Sequence, residues 1–112
     1  MARPLVGIYA QVAPASWGPW VDRPSVVAPA VLGEVMQHAG AMVVLLAPDP
    51  GLERPELLRM LDALVVFDDV EELDALLGAA RELGLAVRVL DAARITAESP
   101  AEDVERELAG LV

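Results

Sequence analysis

Four short runs rich in Val, Leu and Ile recur along the chain: "LVGIYA" (5–10), "AMVVLLA" (41–47), "ALVVFD" (63–68) and "LAVRVLD" (85–91). Each is apolar nearly throughout, the pattern of a strand covered on both faces. The segments between them change period. In "DVEELDALLGAARELG" (69–84), Val70, Leu73, Leu76, Leu77, Ala80 and Leu83 fall on one helical stripe, with Asp69 placed to cap the start and Gly84 the end. A second helix is expected from Pro29 to Gly40, with Val31, Leu32, Val35, Met36 and Ala39 inward. Pro55 opens a short helix running to Leu61. In "SPAEDVERELAGLV" (99–112), Ser99 is the expected cap, Pro100 the first helical residue and Glu102 the partner in a capping box, with Val104, Leu108 and Leu111 buried.

Strand and helix thus alternate four times with short connections, which predicts a parallel sheet. The expected architecture is α/β: a three-layer, flavodoxin-like fold with a four-stranded parallel sheet in the order 2-1-3-4, formed by residues 1–112 as a single domain. In such sheets ligands bind beyond the carboxyl ends of the strands, where the strand order reverses. Gln11 and the loop bearing Trp17 and Trp20 arrive there, followed by Phe67, Asp68 and Asp69, with Asp91 to Arg94 alongside. The Pro-rich stretch 14–29 reads as a loop. Both tryptophans of the chain lie in it, so they either pack as a lid or subunit contact or stack on a ligand.

Composition narrows the function. The net charge is −10, with eight arginines and no lysine, which argues against nucleic-acid binding. There is no cysteine, and so no disulfide, thiolate metal site or thiol nucleophile. The apolar share of 55% is high for a small domain, as though another chain covers part of the surface. No apolar run approaches the roughly 20 residues of a membrane span, and "MARPLVGIYA" lacks the features of a signal peptide. A cytoplasmic protein without membrane contact is expected. Neither "VFDDVEE" nor "YAQVAPA" has the glycines or basic residues of a phosphate loop, so no nucleotide or flavin cofactor is expected.

The segments "RPLVGIYA", "ASWGPW", "VVAPAVLGEVMQHAGAMVVLLAP" and "LLRMLDALVV" resemble, in that order, the N-terminal part of class I glutamine amidotransferase-like proteins, in the gamma-glutamyl-gamma-aminobutyrate hydrolase branch. The resemblance covers residues 3–66, and 73–90 more loosely. It implies a shared α/β fold, and the departures from it carry the functional expectation. Phe67, Asp68 and Asp69 replace the family's Gly-Gly turn, where backbone N–H groups would stabilise an oxyanion. Asp91 stands near the position of the nucleophilic Cys, and a carboxylate cannot form the thioester. The family's catalytic His and its Glu partner belong to a C-terminal half beyond the matched segments, and His38 lies too early in the chain to be that His.

A non-catalytic, amidotransferase-like domain acting by association is therefore expected, as a homodimer or as a small subunit of a protein partner. The alternative is a binder of a small amine or gamma-glutamyl compound, with Gln11, Trp17, Trp20, Asp68, Asp69, Asp91 and Arg94 as candidate ligand-binding residues. Asp68, Asp69 and Asp91 could also supply oxygen ligands to a divalent cation or act as acid and base. A capping role for Asp69 with solvated partners is the plainer assignment, and no metal is expected. Arg94 is expected to pair with Asp91 or Glu98. The run 85–91 ends the sheet, so a second copy is expected to cover it, with Arg88 either meeting an acid across the contact or guarding the edge.

Overall fold

The structure, a computed structural model, describes residues 3–67, 73–96 and 98–111. Its strands are β1 (Leu5–Tyr9), β2 (Gln11–Trp17), β3 (Trp20–Val27), β4 (Met42–Leu46), β5 (Ala63–Phe67) and β6 (Ala86–Leu90). Its helices are α1 (Ala30–His38), α2 (Pro55–Leu58), α3 (Asp74–Glu82) and α4 (Ala101–Glu107), with a 3-10 turn over Pro50–Glu53. Among the described residues no helix is long and apolar enough to cross a membrane.

Four strands form a parallel sheet in the order β4-β1-β5-β6. This chain-order numbering departs from the expected 2-1-3-4 because residues 11–27, expected as a loop, form two further strands. Those two pair antiparallel as a separate hairpin, β2-β3.

The apolar runs of β1 and β5 are explained by burial on both faces of the sheet, whereas the edge strand β4, expected to be covered on both, leaves Met42 and Leu45 exposed. Val6, Ile8, Ala63, Val65 and Leu90 join one core cluster with Val31, Leu32, Val35 and Met36 of α1 and Val104 of α4. Leu64 and Val66 join a second with Leu58 of α2 and Leu76, Leu77 and Ala80 of α3. Adjacent residues of β5 thus supply opposite clusters, which is why alternation is absent from its sequence. Gly7 sits at the centre of β1, where a Cβ would lie 2.9 Å from Leu61 Cδ1 and 3.0 Å from Leu46 Cδ1. Arg3 ties the start of β1 to the turn before β4, its guanidinium donating to the carbonyls of Gly40 (3.1 Å) and Ala41 (2.7 Å). No polar side chain is buried among the described residues.

Several local expectations are corrected. Pro100 is the residue before α4, and no side chain caps that helix. Ser99 instead closes the preceding loop, its hydroxyl accepting from the Thr96 amide at 2.8 Å and donating to the Arg94 carbonyl at 3.3 Å. Ala39 is exposed, because the chain is already leaving α1 toward Gly40 at φ +89°. Arg88 reaches back to its own chain, donating to the carbonyls of Glu107 (3.2 Å) and Ala109 (3.0 Å) at the end of α4. Those carbonyls have no partner inside the helix and attract a cation, so Arg88 joins β6 to α4. Val87 and Val89 pack against the second core cluster. Asp69 and Val70 lie outside the described residues.

Candidate functional site

Two features stand apart from the packed sheet. The first is a cavity of about 360 Å³ beyond the carboxyl ends of β1, β5 and β6. Tyr9 closes β1 and Phe67 closes β5, while Gln11 and Val27 come from the base of the hairpin. The start of α1 and the Ala92–Thr96 loop complete the wall. The described lining is apolar apart from Gln11 and Thr96, Tyr9 packing its side chain against the second core cluster, and it holds no charged side chain. The Thr96 hydroxyl lies 3.3 Å from a carboxylate oxygen of Glu98 and accepts from the Glu98 amide at 3.3 Å, so it is already engaged. No side chain caps α1, and its first turn has no acidic residue. The cavity can therefore hold a small, largely apolar molecule with one hydrogen-bonding end near Gln11.

The structure separates the residues that the sequence grouped. Gln11 lines the cavity. Asp91 shapes the wall indirectly: its carboxylate accepts from the Ala93 amide at 2.8 Å, and its carbonyl accepts from the amides of Arg94 and Ile95, both at 2.9 Å. This is a local aspartate turn, which sets the loop carrying Ala92, Ile95 and Thr96. Arg94 points away and pairs with Glu107 at 3.1 Å; with its side chain 70% exposed, it meets neither Asp91 nor Glu98 within ion-pair distance. Asp68 and Asp69 lie outside the described residues. Among those described, no three His, Asp or Glu side chains stand together as a metal site would need. Tyr9 and Thr96 were missed as site residues. Tyr9 was legible as the last residue of a strand, but Thr96 was not, because its position depends on the Asp91 turn.

The second feature is the hairpin, which carries Trp17 and Trp20 at its tip and away from the cavity lining. The two tryptophans are direct cross-strand partners around Gly18 and Pro19. Gly18 has φ +53°, the positive value that a two-residue hairpin turn requires at its first central position. The register shifts between Ala15 and Trp17, placing an extra residue in β3 at Val21–Asp22. Asp22 takes φ +50°, and its amide donates to the Ser16 hydroxyl at 3.0 Å, which secures the bulge. The Arg23 guanidinium lies 5.5 Å from the Trp20 ring centroid.

No residue of the hairpin from 11 to 27 is buried. Val12, Val21 and Val26 are 58%, 67% and 43% exposed, and Trp17 and Trp20 are 53% and 49% exposed. Isolated singly such residues would mean little, but five on one two-stranded projection leave apolar surface on both of its faces, the valines on one and the tryptophans on the other. Comparison with protein-family models, with curated proteins and with solved structures returns no match to this chain.

Proposed function

We propose that this chain is a non-catalytic association domain that pairs with a second copy of itself, on a three-layer, flavodoxin-like fold of the class I glutamine amidotransferase-like type. The exposed apolar hairpin carries this reading. A two-stranded ribbon alone is marginal in water and gains stability by packing against another layer, and here its own chain covers the hairpin only in part. The absence of cysteine removes the family nucleophile from these residues, and the Asp91 carboxylate near its position is engaged in a turn. Size-exclusion chromatography with light scattering at micromolar concentration tests the proposal. The expected mass is twice 11.9 kDa, and a strictly monomeric protein would overturn it.

The cavity favours a second reading, a binder of a small amine or gamma-glutamyl compound held near Gln11. Its uncharged described lining favours the neutral, amide-like part of such a molecule over a fully charged one. A thermal-shift series of amines, amino acids and their neutral amides tests this. Stabilisation lost in Gln11→Ala supports it, and no stabilisation at millimolar concentration rejects it.

A further inference from the structure

The arrangement of prolines in the hairpin indicates how the chain can associate. Pro14 and Pro24 are direct cross-strand partners. Neither has an N–H, so theirs has to be a pair that exchanges no hydrogen bonds, and the neighbouring pairs Ala13–Ser25 and Ala15–Arg23 carry the ladder. At residues 12, 14, 24 and 26 the amide positions therefore point outward, along the two free edges of the ribbon. At the middle of each edge the donor is missing. A further strand cannot pair there without a broken ladder on either side, which is how exposed edges are guarded.

The face of the ribbon is open where its edges are not. Val12 pairs with Val26 and Pro14 with Pro24, so these four share one face, and Val21, in the bulge opposite Ser16, stands at its end. All five are exposed. On the opposite face Ala13, Ala15, Ser25 and Val27 are partly buried, while Gln11, Arg23 and the two tryptophans at the tip are exposed. Charge selects the occupant. The chain carries −10 overall, yet residues 11–27 hold only Asp22 and Arg23, which cancel. Two copies of so acidic a protein can meet here with Asp22 as the one carboxylate that each brings near the contact, whereas a basic partner would be drawn to the acidic remainder.

Resting on the association reading, we infer that two copies join by this Val12–Pro14–Val21–Pro24–Val26 face, packed face to face about a two-fold axis, with the ribbon edges and β6 outside the contact. Each ribbon supplies the layer that the other lacks, and a contact between identical faces closes at two chains.

Light scattering on the wild type and two variants tests this, with circular dichroism and thermal melting as checks of folding. Val12→Asp with Val26→Asp places four carboxylates in the contact and should weaken dimerisation by at least roughly a hundredfold while the monomer stays folded, because both positions are exposed. Pro14→Val with Pro24→Val restores both edge donors and should yield species larger than the dimer. A wild-type dimer that survives the double aspartate variant overturns the face-to-face inference and leaves the association reading standing. A monomeric wild type removes both. Loss of the dimer in Trp17→Ala with Trp20→Ala, but not in the aspartate variant, moves the contact to the hairpin tip and also overturns the inference.

Discussion

Val65 and Val66 in β5 have no exposed surface, whereas Val12, Val21 and Val26 in the hairpin are all exposed. The residue type and its preference for extended backbone are the same in both places. What differs is the number of layers: β5 lies between two core clusters contributed by four helices, while the hairpin has only its own partly buried inner face. The sheet is therefore held by burial. The hairpin is held by local chemistry, through Gly18 in the turn and Asp22 bonded to Ser16. A region built in the second way has no core of its own, and its apolar face stays available.

The difference can be broken most sharply at the sheet. Ile8→Ala and Leu64→Ala each empty a fully packed position and should cost about 2–5 kcal/mol in urea unfolding. A loss under about 1 kcal/mol would mean that the strands are not sealed on both faces. Gly7→Val should cost about 1–3 kcal/mol by overpacking, since its Cβ would press on the tips of Leu61 and Leu46. Introducing Leu61→Ala alongside should recover part of that cost, and strict additivity would show that the clash is elsewhere. Arg3→Ala removes two hydrogen bonds to main-chain carbonyls and is expected to cost about 1 kcal/mol, visible as a lower denaturant midpoint with an unchanged slope.

The hairpin should answer differently. In the Val12→Asp, Val26→Asp background, where dimerisation no longer contributes, Trp17→Ala should change stability by less than about 0.5 kcal/mol. A larger effect would reveal packing of the indole against its own chain. The surface pair Arg94–Glu107 sits at the bottom of the range: Arg94→Ala should shift stability by under about 1 kcal/mol, and added salt should shrink even that.

Much of the sheet was legible because burial on two faces leaves continuous apolar runs, and because Val31, Leu32, Val35 and Met36 repeat with the helical period and are buried together. The hairpin was not. Three prolines in β2, the turn and β3 ordinarily argue against strands, and their tolerance here depends on Pro14 standing directly opposite Pro24. Such a register is a property of two segments at once. The candidate site was legible only as a location, the carboxyl ends of the strands. Gln11 lines the cavity there, whereas Asp91 and Arg94, candidates for the site with an Arg94 pairing to Asp91 or Glu98 as the plainer expectation, are engaged elsewhere. Asp91 turned to the Ala93 amide two residues on, and Arg94 found Glu107 in α4, across the intervening loop.

By itself the sequence determined the four strands of the parallel sheet, most of the buried stripes of α1, α3 and α4, and an acidic chain without thiol chemistry. These follow from side-chain periodicity and composition, which act along the chain and need no knowledge of what lies opposite. Tertiary structure alone decided that residues 11–27 form a ribbon, that Arg88 serves the end of α4, that Tyr9 and Thr96 wall a common cavity, and that one face of the ribbon is left bare. Each of these depends on which distant groups come within a few ångströms. Hydrogen bonds and burial are set by that proximity, and the order of residues in one segment does not contain it.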